Sequence, residues 1–270
     1  MIQIILGILI VLIGVFVFYK YPMKSDVKQM VLGALLVVLS IVLKRLAIMV
    51  PFLGFPSFKI TLEVFPLIVA GLTLKPGYCY IVALATDGLG LIIANAGGFP
   101  FFGFTLNAIL QTLIPCFLKQ NLVGEKWETK IDKIVYAGMS IIALAASLYV
   151  VFLNKVTISD QVFVITSSMK ITIIAVVWLL IIVLFLAMYF YKKKISAKEY
   201  HQFNLVVMSV ILIDLVVTFV LTPYWLDVMY GIPFFASSFL RMLKACVMIP
   251  VSIIVINTVY HIISRTLKLD

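Results

Sequence analysis

The sequence predicts an all-α integral membrane protein. Of its 270 residues 64% are hydrophobic, 12% are charged, and the mean hydropathy is +1.22. Its apolar runs approach the roughly 20 residues that span a hydrocarbon core about 30 Å thick, and short polar stretches separate them. Backbone polar groups in lipid must be satisfied within the segment, so these runs are helices. The formal charge of +10 does not signal nucleic-acid binding, because the lysines fall in short segments between apolar runs, where they orient helices in the bilayer.

Nine spans follow in order, near 2–19, 30–49, 60–74, 77–95, 104–119, 134–153, 162–191, 203–222 and 237–263. The first lacks a basic start and a small-residue cleavage site, and Lys20, Lys24 and Lys28 follow it, so it reads as an uncleaved helix rather than a signal peptide. Lys44-Arg45 lie near the end of the second, and Lys75-Pro76-Gly77 is a turn signal that divides the third from the fourth. Segments 20–28, 75, 119–133, 192–198 and 265–268 carry most of the lysine and arginine, and with nine spans they all fall on one side. That side is expected to be cytoplasmic, with the N-terminus outside and the C-terminus inside a cell membrane. The opposite loops, 50–59, 96–103, 154–161 and 223–236, are rich in Gly, Pro and aromatic residues. Cys79, Cys116 and Cys246 are widely spaced inside apolar helices and read as packing residues, and the chain shows no ligand pattern for a metal or cofactor.

An ionised side chain at the bilayer centre costs about 2.5–3.5 kcal/mol on insertion scales, so each one within a span should face protein, water or a ligand. Asp87 lies about halfway along its helix, and Asn95 is further along the same face. Asp87 either locks the bundle by pairing with a cation or serves a ligand. Lys44, Arg45, Lys59, Arg241 and Lys244 could form a cationic outer pocket; snorkelling accounts equally well for Lys44. Arg241 and Lys244 lie three apart, placed to bridge to Asp214 or to meet an anionic ligand. Asp214, Thr218 and Thr222 recur every four residues, which suits interhelical hydrogen bonding at least as well as ligand contact, and Lys170 reads as structural or snorkelling. Aromatic residues gather in two outer segments, around Phe104 and around Tyr224 and Trp225; they serve either as an interfacial belt or as a stacking surface.

At these residues the chain resembles the substrate-binding S component of energy-coupling factor (ECF) vitamin importers, in its folate-type branch. The resemblance rests on an ordered set of motifs: Leu43-Lys44-Arg45, Lys59-Ile60-Thr61, and Phe65-Pro66-Leu67-Ile68-Val69-Ala70-Gly71 leading to Lys75-Pro76-Gly77. It continues through Asp87-Gly88-Leu89-Gly90, Gly97-Gly98-Phe99-Pro100 and Gly103-Phe104-Thr105, then Leu221-Thr222-Pro223-Tyr224-Trp225, Tyr230-Gly231-Ile232-Pro233-Phe234 and Arg241. It covers roughly 30–119 and 203–265.

The resemblance implies a six-helix S-component-like core plus about three additional transmembrane helices. Residues 1–29 would form an extra N-terminal helix and inside loop, 30–123 core helices one to four, 124–200 a two-helix insertion, and 201–270 core helices five and six. It implies capture of a water-soluble vitamin, folate or a related pteridine, for uptake driven by a transmembrane coupling protein and two ATPase subunits. Lys59, Arg241 and Lys44 or Arg45 would meet the ligand's carboxylates, with Lys244 and Thr105 in the same site. Asp87 or Asn95 would bond a heterocycle edge, and Phe104, Tyr224 or Trp225 would stack on it. Docking would use Ala34 and Val38, with Gly33 alongside to offset the larger valine. No phosphate-binding loop is present in the sequence, so hydrolysis would fall to partners. The alternatives are an integral membrane enzyme acting on a lipid or isoprenoid head group, for which the paired carboxylates or metal cluster are missing from the sequence, and a structural or assembly subunit.

Overall fold

The computed structural model describes residues 2–46, 48–52, 55–60, 62–94, 100–121, 125–152, 155–158, 161–164, 166–194, 197–232 and 234–267. The helices are α1 (Ile2–Lys20), α2 (Val27–Arg45), α3 (Val64–Thr73), α4 (Pro76–Ala94), α5 (Phe102–Asn121), α6 (Glu125–Phe152), α7 (Ser167–Lys194), α8 (Ala197–Ile213), α9 (Thr222–Tyr230) and α10 (Phe234–Leu267). A π-helical stretch, Asp214–Leu221, joins α8 to α9. Among the described residues seven stretches are long and apolar enough to cross a membrane: Ile2–Lys20, Val27–Arg45, Pro76–Ile93, Phe102–Asn121, Ser167–Phe190, Glu199–Tyr230 and Met248–Thr266. This is the mark of a multi-pass membrane protein.

Two expected loops are hairpins instead. β1 (Ile48–Phe52) pairs antiparallel with β2 (Phe55–Ile60), and β3 (Lys155–Ile158) with β4 (Gln161–Val164). Their β-branched and aromatic residues suit a pleated ladder. The first register shifts between Val50 and Phe52, where Pro51 has no N–H to give. The third expected span is shortened to α3, whose ten residues rise only about 15 Å. The expected outer loop at 223–236 begins as helix, continuous with the π-helical stretch before it, which accommodates the missing N–H of Pro223.

The chain forms two compact units, 1–121 with 254–270, and 122–253. In the first unit α1 lays one stripe, Leu6, Ile10, Gly14 and Val17, against protein and turns Ile5, Leu12 and Val15 outward. Gly14 is needed there because an added Cβ would lie 2.7 Å from the Tyr80 hydroxyl, which donates to Ile10 O at 2.9 Å. Gln3 completes the start of α5 by accepting from Phe102 N at 3.1 Å. The helix α1 is therefore packed into this unit, on α4 and α5.

Asp26 caps α2, accepting from Lys28 N and Gln29 N. Gln29 in turn accepts from Lys75 N at 3.0 Å, and the Tyr78 hydroxyl donates to Lys24 O at 2.9 Å. These bonds gather the lysine-bearing turns at one end of the unit. Between α2, α4 and α5 lies α3, with every residue from Phe65 to Thr73 buried. Gly71 lets it approach α5, since an added Cβ would collide with Thr112 O and come within 2.9 Å of the Pro115 ring. Lys119 donates to Leu72 O at 2.8 Å and so caps that carbonyl in the last turn of α3.

In the second unit α6 packs on α7 through the Tyr136–Phe185 ring pair, 4.8 Å between centroids, and a bond from Trp178 Nε1 to Ser147 Oγ. Lys170 donates to Val151 O at 2.7 Å, capping α6 in keeping with a structural role. The helix α8 packs against both α6 and α7, so the two inserted helices share one unit with it. Pro223 cannot donate to the carbonyl one turn back, and the helix widens before it: Thr222 N reaches Val217 O, five residues behind, and Thr222 Oγ1 donates to the same oxygen at 2.6 Å.

Candidate functional site

The ends of the first unit differ in chemistry. One holds Lys24, Lys28, Lys75 and Lys119. At the other, the C-terminal turns of α2 and α4 meet the N-terminal turns of α3 and α5, because the helices alternate in direction. There Lys44 Nζ lies 3.5 Å from Glu63 Oε2, and Ser40 Oγ donates to Glu63 O at 2.8 Å. Glu63 flanks the first residue of α3, where a negative charge complements the helix dipole. The Lys44 side chain crosses onto α4, its Nζ 3.7 Å from where a Cβ on Gly90 would be. This ion pair is about one-third exposed, so it contributes about 0–1 kcal/mol.

One turn before Gly90 on α4, Asp87 is 6% exposed. Its Oδ2 accepts from Thr105 Oγ1 at 2.6 Å, a short charge-assisted bond that ties α4 to the start of α5. Among the described residues no cation lies within ion-pair reach of Asp87; Lys44, one turn along, pairs with Glu63 instead. The bundle-locking alternative for Asp87 is not met there. Phe104 packs edge-on against Phe101, ring centroids 5.7 Å apart.

Lys44, Arg45, Asp87, Phe104 and Thr105 thus belong to one unit, but the expected excess of positive charge is reduced. Glu63 neutralises Lys44, while Arg45 is exposed. Lys59 lies on β2 with its backbone opposite Met49. Asn95 lies outside the described residues, as do Gly97 and Gly98.

Tyr224, Trp225, Arg241 and Lys244 belong to the second unit. There Trp225 is 4% exposed and Tyr224 44%, with their rings 5.1 Å apart. Arg241 Nε donates to Ser237 Oγ at 3.4 Å, one turn back. Asp214 is half-buried; its Oδ1 accepts from Thr218 Oγ1 at 2.8 Å, and Lys244 acts electrostatically on the carboxylate.

On α2, Ala34 and Val38 face outward, Val38 with 59% of its surface free. Gly33 does not join them, because consecutive helical residues point about 100° apart. It turns inward, where an added Cβ would sit 3.1 Å from Val82 Cγ2. The sequence reading also missed Glu63 and Thr86, whose hydroxyl is buried and bonds nothing. A carboxylate beside the first turn of an apolar helix was the signal for Glu63; for Thr86 there was none.

Among the described residues no group of three or more His, Cys, Asp or Glu side chains is placed to hold a metal ion. Comparison with protein-family models, curated proteins and solved structures finds no match to this chain.

Proposed function

We propose that the chain is the substrate-binding membrane subunit of an ECF-type importer, capturing folate or a related pteridine. The observation that carries this reading is Asp87, a carboxylate buried between α4 and α5 with one hydrogen-bond donor and no cation within reach among the described residues. A charge so costly to bury is retained where a ligand completes its partners. Arg45, and Lys59 on the hairpin between α2 and α3, supply positive charge for a ligand's carboxylates. The exposed pair Ala34 and Val38 offers a docking face to a coupling protein, and two ATPases on that partner supply the energy.

Equilibrium dialysis of the detergent-purified chain against folate, without nucleotide, tests the proposal. Saturable binding at one ligand per chain is expected, weakened in Arg45→Ala and Lys59→Ala. Ala34→Trp should leave binding intact and abolish uptake with a coupling module. If neither folate nor any other flat, water-soluble vitamin is retained, the reading fails.

A further inference from the structure

Two cysteines from separate helices meet inside the first unit. Cys79 Sγ, on the first turn of α4, lies 3.6 Å from Leu74 O, and Cys116 Sγ, near the end of α5, lies 3.5 Å from the same oxygen. The two thiols also interact with each other directly. Neither residue has more than 2% of its surface exposed. Two polar side chains of α5 stand beside them: Gln120 Nε2 donates to Cys116 Sγ at 3.8 Å, and the Lys119 ammonium, held on Leu72 O at 2.8 Å, acts electrostatically on both sulfurs.

A pair of thiols on one carbonyl can bind a soft metal ion or be oxidised to a disulfide. Among the described residues no third His, Cys, Asp or Glu side chain joins them as a ligand, and the ammonium repels a cation. We infer that Cys79 and Cys116 are a redox-active pair that hydrogen peroxide converts into a disulfide joining α4 to α5. Burial keeps bulky reagents out and opposes charge on sulfur, so the oxidant must be small and uncharged, as hydrogen peroxide is. Cys116 attacks first, because Gln120 and Lys119 favour the anionic sulfur that the step requires. Its sulfur bonds one peroxide oxygen and becomes a sulfenic acid, while the other oxygen leaves with the thiol proton as water. The Cys79 sulfur then attacks that of Cys116: the S–S bond forms, and the sulfenic hydroxyl leaves with the second thiol proton as water. Two thiols and one peroxide thus give one disulfide and two waters, the peroxide taking up both electrons. Because the thiols already interact, side-chain rotation brings them to bonding distance. The disulfide has no S–H left for Leu74 O, a small loss because a thiol is a weak donor, and a thiol reductant reverses the link.

The test is hydrogen peroxide treatment of the folded, detergent-purified full chain, read by intact mass and by digestion without reductant. Most wild-type chains should lose two hydrogens and give a Cys79–Cys116 linked peptide that reduction separates. Cys79→Ser should stop at Cys116 with one added oxygen and form no link. Cys246→Ser, which removes the chain's third cysteine, should link as the wild type does. The wild-type result stands by itself if Cys79→Ser fails to fold. A Cys79–Cys116 link that forms only after unfolding, a link through Cys246 in its place, or oxygen addition without a link overturns the inference.

Discussion

Thr105→Val should unsettle the protein through Asp87 rather than through lost volume. Valine matches threonine in shape, so the packing at the start of α5 survives, but the 2.6 Å bond to Asp87 Oδ2 is lost. The carboxylate, 6% exposed, then has no described donor. Hydrogen bonds to charged groups contribute about 1.5–3 kcal/mol, and neutral ones nearer 1 kcal/mol. For a chain of this size that corresponds to a fall in Tm on the order of 3–10 °C. The assay is thermal unfolding in one detergent of the wild type, Thr105→Val, Asp87→Asn and the double variant. Because Asn is neutral, Thr105→Val should cost about 1 kcal/mol or less in the Asn background, and the difference is the coupling between the two side chains. Equal Tm losses in both backgrounds would refute the claim that Thr105 stabilises a buried charge.

Gly71→Val should destabilise by about 1–3 kcal/mol or block accumulation, since its Cβ collides with Thr112 O and the Pro115 ring. Gly138→Ala on α6, with nothing within 4 Å, should be neutral or slightly stabilising, and thermal melts compare the two. Lys170→Met should speed amide exchange near Val151 at the end of α6 and leave ligand binding unchanged; loss of binding would contradict a capping role. Deleting the exposed Val220 from the π-helical stretch should restore ordinary helix spacing and leave α9 in phase, so Trp225 should stay buried and its quenching by acrylamide unchanged, whereas an added residue in α8 should turn α9 by about 100° and expose it.

The helices were legible because lipid demands long apolar runs; each of the nine expected spans contains a helix, but among the described residues only seven stretches are long and apolar enough to cross, and α3 is not one of them. Boundaries moved where local chemistry outweighed hydropathy. Ile48–Phe52 and Phe55–Ile60 carry prolines and aromatics that suggest an open loop, yet their backbones pair as antiparallel strands. Pro223 resembles a terminator, but the helix runs through it because the π-helical turn before it accommodates the missing N–H. In the site, Asp87 was visible as a charge out of place, and Thr105 entered through its motif. Their bond was not, because no spacing rule links residues on separate helices. Glu63 stayed hidden for the same reason, and with it the neutralisation of Lys44. The inward turn of Gly33 follows from helical phase, which fixes relative direction along α2 but not which side meets the other helices.

The brevity of α3 bears on how the chain is made. Ten residues cannot carry both helix ends to the aqueous boundaries of a bilayer, and its surface from Phe65 to Thr73 is enclosed by neighbouring helices. Two of the groups that complete it, Lys119 at its far carbonyl and Pro115 against Gly71, are synthesised some forty residues later. During translation α3 therefore has no stable resting place of its own. Its insertion waits on α4 and α5, which makes the stretch from Val64 to Asn121 one unit of biogenesis.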